Sequence, residues 1–312
     1  MFVKLLVATS ALAAALPAAA QAPEEGIRQL WNQEILQKRP PAKTPPAVAK
    51  KPVVYKPVAT AAVAAPKTTA GTPTTASAVK PPKPSGAAVE TVMGVTLWRL
   101  RKPKAADDPS SRLLILGDDE DASTELVPER VEGDTALAVG DKVRLTIEVP
   151  RTGYLYLIDR EQYVDGTTSD PYLIYPNVTT RPGDNLVAAG RLLEIPDSRD
   201  KPNHFKLQRS RKDQVSELFS VLVTPEPIPN LDTSKRILKL SQEQYKEWET
   251  KFGVEVERFE LVDGAGAAST RTELQGGVLT QDDPMPQTLY KITCEPGKAI
   301  LVKVPVKIKS GP

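Results

Sequence analysis

The sequence contains very little histidine and cysteine: one residue of each, His204 and Cys294, in 312 residues. Zinc sites need three or four His, Cys or carboxylate ligands, and the acidic residues near His204 lack ligand spacing. Haem bis-ligation, iron–sulfur clusters and an intramolecular disulfide all require more than one such residue. We therefore expect no metal and no cofactor. Cys294 is either a small buried hydrophobe or a partner for a disulfide between chains.

The sequence also lacks a long apolar run, because no stretch approaches the roughly 20 apolar residues that span a bilayer. We therefore expect no transmembrane segment. The N-terminus instead combines Lys4, an apolar stretch at 5–16 and the small-x-small motif Ala20-Gln21-Ala22. This pattern predicts a cleaved bacterial signal peptide over residues 1–22, which would place the mature protein in the periplasm or outside the cell.

Proline is abundant and unevenly placed. Residues 38–88 contain 11 of the 30 prolines, nine basic residues and no acidic residue. Proline fixes φ and removes a backbone donor, so this segment is predicted to be a disordered Pro/Lys/Ala-rich linker. We expect it to act as a spacer or to contact anionic wall polymers or lipid headgroups through its lysines. Residues 89–312 carry a formal charge of −6, which argues against nucleic acid as a partner.

A short amphipathic helix is predicted over residues 23–37. Ile27, Leu30, Trp31 and Ile35 recur at helical spacing among polar residues. A helix of about three turns is marginal by itself in water. It is therefore either a frayed leader or a docking helix, held at a distance from the folded domain, that binds a protein partner in the cell envelope.

The remaining sequence shows the period-2 alternation of β-strands. In 142–149, apolar and polar residues alternate, which predicts a strand with one wet face. Residues 154–159 are apolar on both faces, which favours a central position in a sheet. A turn at 295–298 is predicted to close a terminal hairpin, whose last strand (300–308) has Pro305 and lysines on one face, as edge strands do.

One helix interrupts the strands near the C-terminal third of the chain. Ser241 and Gln244 form a capping box, and Tyr245 and Trp248 share one apolar face. An aromatic stripe at this spacing usually packs against a core. The pattern as a whole predicts one mainly β domain over residues 89–312, with one amphipathic helix.

Residues 140–224 contain phrases that resemble a known family. They are Val-Pro-Arg-Thr-Gly-Tyr-Leu-Tyr-Leu-Ile-Asp-Arg-Glu (149–161), Pro-Tyr-Leu-Ile-Tyr-Pro-Asn (171–177), Asp-Asn-Leu-Val-Ala-Ala-Gly (184–190) and Ile195-Pro196. Together they resemble a bacterial domain of unknown function found in exported proteins and attached to serine/threonine kinases and caspase-like peptidases. The resemblance implies an Ig-like β-sandwich that serves as an accessory or sensing module. It supplies no catalytic residue and no cofactor.

No catalytic constellation is evident. His204 lacks a Gly-x-Ser-x-Gly partner motif, and the acidic run 118–121 lacks the alternation and central glycine of a calcium loop. Four carboxylates flank one loop, but many loops carry as many, so no glycosidase pair is assigned to them (Asp159, Glu161, Asp165, Asp170). We expect a protein that is not an enzyme.

The loop between Tyr163 and Tyr175 is the predicted recognition surface. Its side chains are Tyr163, Asp165, Asp170, Tyr172 and Tyr175, since tyrosine supplies contact area at low entropic cost. The alternative is that Tyr172 and Tyr175 pack inside the sandwich. We expect an exported, non-enzymatic interaction or accessory module of the bacterial cell envelope. The alternatives are a cell-wall or polysaccharide binding protein and, after that, a hydrolase.

Overall fold

The computed structural model describes residues 23–41, 53–58, 88–115, 124–180, 184–274, 276 and 278–309. The helices are α1 (Pro23–Glu34), α2 (Gln242–Phe252) and α3 (Arg271–Leu274). The strands are β1 (Tyr55–Val58), β2 (Val89–Arg101), β3 (Leu113–Ile115), β4 (Thr124–Val131), β5 (Lys142–Glu148), β6 (Gly153–Asp159), β7 (Glu161–Tyr163), β8 (Tyr172–Tyr175), β9 (Leu186–Val187), β10 (Leu192–Ile195), β11 (Phe205–Lys206), β12 (Gln214–Thr224), β13 (Leu238–Lys239), β14 (Glu255–Leu261), β15 (Thr288–Cys294) and β16 (Ile300–Lys307). The predicted signal peptide, 1–22, lies outside the described residues. None of the described helices is long and apolar enough to cross a membrane.

The strands form two antiparallel sheets. In the first sheet, β2 pairs with β15 and β4 on one side and with β5 on the other, and β14 and β1 continue the sheet beyond β15. β5 also pairs with β10 and β11, and β3 pairs with β4. The second sheet has the order β13-β8-β6-β12-β16, with β9 beside β6 and β7 beside β12. This arrangement confirms the mainly β fold predicted from the sequence.

The inner faces of the two sheets bury one core. Val143, Leu145 and Ile147 of β5 meet residues of β6, β12 and β16. Cys294 lies in the same core as a free, buried thiol, and burial raises its pKa. Burial of these apolar side chains contributes the main driving force for this packing, because each one removed from water contributes about 1.5–3 kcal/mol.

The outer face of the second sheet is covered by α2. Ser241 caps the helix by accepting a hydrogen bond from the Gln244 amide at 3.0 Å, as the sequence predicts. Tyr245 and Trp248 pack on Tyr156 and Ile158, which project from the outer face of β6. β6 is therefore central and buried on both faces, and that prediction is confirmed.

The predicted wet face of β5 is buried, so that expectation is wrong. Arg144, Thr146 and Glu148 are 3%, 6% and 1% exposed. Each has a partner across the sheet or from another segment: Glu194 accepts from Arg144 at 3.1 Å, and Trp98 donates to Thr146 at 3.0 Å. A polar residue at an alternating position can face water or a polar partner, and the periodicity alone does not distinguish them.

The N-terminal segment, which we define as residues 23–41 and 53–58, covers part of the first sheet. Ile27 and Trp31 of α1, and Ile35 directly after the helix, are buried against a patch that includes Phe259 and Leu289. The helix docks, but onto its own domain. The expectation of a docking helix held at a distance from the domain is wrong, because the apolar face of α1 packs against this sheet. Leu30 also packs against the same patch.

A buried ion pair joins the N-terminal segment to β5 of the first sheet. Arg39 donates from Nε and Nη2 to the Glu148 carboxylate over 3.0 and 2.6 Å, and both side chains are buried. Arg39 Nη1 also donates to the Asp283 carbonyl at 3.2 Å. This bidentate geometry is the strongest form of an Arg–carboxylate contact.

The prediction that residues 38–88 are a disordered Pro/Lys/Ala-rich linker is wrong where the structure describes them. Arg39 is buried, and Tyr55–Val58 forms β1, antiparallel to β14. The Tyr55 hydroxyl donates to the Pro286 carbonyl at 2.5 Å. Pro57 is compatible with a strand because β1 lies at the edge of its sheet, where a missing ladder donor is tolerated.

The chain's last two strands do not form the predicted hairpin. The turn at 295–298 forms as predicted, with Gly297 at φ +72°. However, β15 belongs to the first sheet and β16 to the second, so the turn carries the chain from one sheet to the other. β16 instead pairs with β12, and it is an edge strand as Pro305 and the lysines indicate.

Candidate functional site

A cleft of about 510 Å³ opens at the end of the second sheet, where β6 passes into β7. Its other walls are the residues just before and at the start of β8 and the segment that precedes β12. The lining side chains that matter for its chemistry are Asp159, Glu161, Tyr163, Asp170, Tyr172 and Arg211. This volume lies within the range of small-molecule and side-chain binding sites, about 300–1,000 Å³.

Strand alternation places three carboxyl groups on the inner face of the sheet beside this cleft. Asp159 follows Leu155 and Leu157 at period 2 along β6, and those two leucines are in the core. Glu217 precedes Phe219 at the same period on β12, and it is paired in register with Glu161 of β7. We call Asp159, Glu161 and Glu217 the carboxyl cluster.

Asp159 and Glu217 behave as an interacting pair. Burial is the main reason that the pKa of each is raised, and the charge of Glu161 raises both further. The hydrogen bond between the two acids lowers the pKa of Asp159 and raises that of Glu217. Oδ1 of Asp159 and Oε2 of Glu217 are buried and have no hydrogen-bond partner when both acids are ionised, so the hydrogen bond between the two carboxyls requires a proton on one of them. Glu217 Oε1 accepts from Gln214 Nε2 at 2.9 Å. Two close buried carboxyls favour a state in which they share a proton.

Glu161 is held at the surface of the cleft by two hydroxyl groups. The Tyr163 hydroxyl donates to Glu161 Oε2 at 2.7 Å, and the Ser210 hydroxyl donates to the same oxygen. Burial, followed by the hydrogen bond to Glu161, raises the pKa of Tyr163. Both of these hydrogen bonds reach the same carboxylate oxygen, Oε2.

The rim of the cleft is fixed by ionic contacts. Asp170 accepts from Lys239 and, at 3.0 Å, from Gln242, and these bonds lower the pKa of Asp170. On the opposite side, the Arg211 guanidinium lies 3.8 Å from the centre of the Tyr163 ring. Arg211 also pairs with Asp213 at 2.7 Å. The rim side chains therefore have partners, whereas Tyr172, which also lines the cleft, is 36% exposed.

The structure brings three of the five predicted recognition residues to this cleft: Tyr163, Asp170 and Tyr172. Tyr175 is fully buried in the core between the sheets, as the alternative interpretation held for it. Asp165 accepts from the Thr167 amide at 2.9 Å and so stabilises its own turn, outside the cleft lining.

Other residues considered from the sequence lie elsewhere. His204 is 8% exposed and directly precedes β11 of the first sheet, whereas the cleft belongs to the second sheet. The acidic run 118–121 is outside the described residues. Within the described ranges, no three His, Cys, Asp or Glu residues form a group that would hold a metal ion.

Sequence reasoning missed Glu217, Ser210 and Arg211. The signal for Glu217 was present, because a glutamate occupies an inward position of a strand that is otherwise apolar on that face (Phe219, Val221). Nothing in the local sequence marks Ser210 or Arg211. They reach the cleft only because β12 pairs with β7.

Comparison with known proteins supports the family resemblance. Residues 136–226 match a family described as Domain of unknown function (DUF4384), which confirms the resemblance inferred from residues 140–224. The match includes the carboxyl cluster and the whole cleft lining. Neither the curated proteins nor the solved structures searched contain a significant match to the chain.

Proposed function

We propose that this chain is an exported, non-enzymatic interaction module of the bacterial cell envelope that holds its partner at the cleft. The observation that carries the proposal is the exposed Tyr172 ring on the wall of a cleft whose rim is fixed by internal ionic contacts. A prearranged wall with one exposed aromatic ring is a low-entropy contact surface. The predicted signal peptide and linker support an envelope location.

The position of the N-terminal helix favours the β-sandwich, and not the helix, as the binding surface. Because Trp31 of α1 and Ile35 directly after it are buried on the domain's own sheet, these side chains do not form a free docking surface. Binding by the β domain itself is the simpler proposal.

The contacts within the cleft support binding over hydrolysis. Ser210 donates its hydroxyl hydrogen to the Glu161 carboxylate, and His204 does not line the cleft. Asp159 is hydrogen-bonded to Glu217, and Glu217 does not line the cleft.

The proposal is tested by crosslinking in cells that express the tagged full-length protein, followed by co-purification. Tyr172→Ala should remove the captured partner. Leu186→Ala provides the matched control, because Leu186 is 48% exposed on the same sheet but does not line the cleft, and it should retain the partner. Cell fractionation of the same cultures should place the protein in the periplasm or the medium.

A partner that both variants retain would contradict the assignment to the cleft, and a cytoplasmic protein would contradict export. Tyr172-dependent retention on isolated cell-wall material, with no protein captured, would favour the polysaccharide-binding alternative.

A further inference from the structure

We propose that one end of the β-sandwich binds the surface of an anionic lipid bilayer. We call this surface the basic end and define it by residues 137–142, 164, 206–213 and 307–309. It adjoins the cleft at Ser210 and Arg211 but does not include Tyr172. The basic end is therefore a second surface, beyond the one of the proposed function, with a different class of ligand.

Backbone hydrogen bonds join these segments into one continuous surface. The amide-to-carbonyl bonds are Lys309 to Leu137 (2.7 Å), Gly140 to Leu207 (2.8 Å) and Val164 to Asp213 (2.9 Å). The Arg209 guanidinium also donates to the Lys309 carbonyl. The surface thus lies where β5 and β12 begin and where β7 and β16 end.

The basic end carries cations that no ion pair neutralises. In the described ranges, no salt bridge involves the following side chains of this end: Lys142, Lys206, Arg209, Lys212 and Lys309. Lys142 lies directly opposite Lys206 where β5 pairs with β11, and like charges in that position destabilise a sheet. Arg209 Nε is buried and has no acceptor among the described residues. An anionic surface would neutralise these charges.

The acidic residues of the basic end and its neighbouring turn are engaged with other groups. Asp213 pairs with Arg211 at 2.7 Å. The Asp141 carboxylate accepts from the Ala138 amide, and the Asp165 carboxylate accepts from the Thr167 amide, both at 2.9 Å. These three acids therefore form no ion pair with the five cations.

Two exposed aliphatic side chains lie among these cations. Val164 is 72% exposed, more than any other large apolar side chain in the described chain, and Val139 is 52% exposed. They lie in four-residue turns, 163–166 and 138–141, which amide-to-carbonyl bonds of 2.9 and 3.1 Å close. Apolar area and positive charge together are what a protein needs to bind the interface of an anionic membrane. A soluble anionic polymer would use only the cations, so the exposed valines favour a bilayer.

The opposite end of the sandwich has mixed charge. β2 and β16 begin there and β12 ends there, and its exposed side chains include Glu90 and Glu226 beside Arg191 and Lys298. Residues 89–312 as a whole carry a charge of −6, so the basic end is not a consequence of the overall charge. A negatively charged bilayer would attract the basic end and repel the rest of the domain, which would orient the domain on the membrane.

The experiment is vesicle flotation of the full mature chain. The test vesicles contain phosphatidylcholine with phosphatidylglycerol, and the control vesicles contain phosphatidylcholine alone. We expect binding to the first and none to the second. Binding should weaken as the salt concentration rises from about 0.1 to about 1 M, because the Debye length falls from about 10 to about 3 Å.

Lys142→Gln combined with Lys206→Gln is the first diagnostic variant. Its affinity for the anionic vesicles should fall by about tenfold or more, since each cation near such a surface contributes about fivefold. The matched control is Arg191→Gln combined with Lys298→Gln, which removes two exposed charges from the opposite end and should bind like the native chain. The lysines of the predicted linker are present in both variants, so they do not affect the comparison.

Val139→Ser combined with Val164→Ser tests the apolar contact. Its affinity for the anionic vesicles should fall by about fivefold or more, while the salt dependence persists. Val89→Ser combined with Leu186→Ser is the matched control, because these residues are 41% and 48% exposed at the opposite end. This control should bind like the native chain.

Equal binding to the neutral vesicles would overturn the proposal. Native affinity in both diagnostic variants would also overturn it and assign the lipid contact to the lysines of the linker. Binding of soluble inorganic polyphosphate that depends on Lys142 and Lys206, without binding to either vesicle, would overturn it in favour of an anionic polymer. Tyr172→Ala should bind the vesicles like the native chain, so loss of the partner at the cleft and loss of lipid binding are separate results.

Discussion

Buried carboxyl groups in this protein avoid an uncompensated negative charge in two different ways. Glu148 is charge-matched by Arg39, whereas Asp159 and Glu217 lie against each other. In the first case the arginine keeps a counter-charge beside the carboxylate. In the second, the low-polarity surroundings and the neighbouring acid favour retention of a proton. The two cases predict different responses to substitution.

At Glu217, removal of the titrating group should stabilise the protein at alkaline pH. The pKa of Glu217 is raised in the folded state, so the native protein holds a proton that the unfolded chain releases. The stability from this group is present below the ordinary carboxyl pKa and is lost as pH rises toward the raised value. Glu217→Gln cannot lose a proton, and its amide can donate to Asp159. We expect the free energy of unfolding of Glu217→Gln to exceed that of the native chain by about 1 kcal/mol or more near pH 8.5.

The measurement is the free energy of urea unfolding at about pH 5 and about pH 8.5. The difference between the variant and the native chain should grow with pH. Glu226→Gln, at an exposed glutamate just after β12, serves as the control and should show no such growth. A gain that is equal at both pH values would show that the proton is not the cause.

At Arg39, loss of the side chain should be severely destabilising. Arg39→Ala leaves the Glu148 carboxylate buried without its partner, and breaking a buried pair in this way costs about 3–5 kcal/mol. Arg199→Ala removes an exposed ion pair with Asp197 and should cost under about 0.5 kcal/mol. Urea unfolding of both variants checks the contrast.

A second variant tests whether the loss of stability in Arg39→Ala comes from the Glu148 carboxylate that is left buried without a partner. Arg39→Met combined with Glu148→Leu replaces both ions with apolar groups and should recover much of the loss. If the double variant is as unstable as Arg39→Ala, the packing of the arginine, not its charge, holds the segment.

At the scale of elements, the first sheet has a polar outer face that needs a cover. Trp98, Thr146 and Glu148 project from this face and are buried. α1 and β1 supply part of the cover, and the fit is close: a Cβ on Gly94 would lie 2.8 Å from the Trp31 ring. The short helix is thus stabilised by tertiary packing, which is the usual source of stability for a helix of three turns.

Removal of this cover should expose an apolar surface. A chain that starts at Val89 leaves Val92, Phe259 and Leu289 without α1 and β1. Compared with a chain that starts at Pro23, we expect a lower Tm and strong binding of a hydrophobic dye such as ANS. A synthetic peptide of residues 23–58, added in excess, should reverse both effects by binding the native state. Equal Tm values and no dye binding would show that the sheet is stable uncovered.

At the scale of the whole molecule, the structure predicts one cooperative unit. Trp31 lies in α1, Trp98 in the first sheet and Trp248 in α2, and all three are buried. The core shared by the two sheets and the buried Arg39–Glu148 pair connect these regions. The N-terminal segment should therefore unfold together with the sandwich.

The test uses Trp98→Phe combined with Trp248→Phe, which leaves Trp31 as the only tryptophan. Its fluorescence and the far-UV circular dichroism should report the same urea midpoint. An earlier fluorescence transition would show that α1 leaves the domain before the sheets unfold.

The limits of sequence reasoning are clear at particular residues. The cap at Ser241, the central position of β6 and the edge character of β16 were predictable, because each depends on neighbours in sequence or on period-2 alternation. The burial of Glu148 was not, since its partner Arg39 is 109 residues away. Likewise, the separation of β15 and β16 into different sheets depends on which distant strand offers a free edge, and a local turn motif carries no such information.

The sequence by itself determined the mainly β class, the capped helix α2, the family resemblance and the presence of carboxylates and tyrosines around 159–175, because local alternation, capping and motif order encode them. Only the tertiary structure decided which of these groups meet. Pairing of β7 with β12 adds Glu217 beside Asp159 and brings Ser210 and Arg211 to the same cleft. Docking of α1 turns a predicted partner-binding helix into part of the domain. These contacts join residues that are far apart in the sequence. Burial and charge compensation stabilise them, and both depend on which distant segments pack together, not on any one segment.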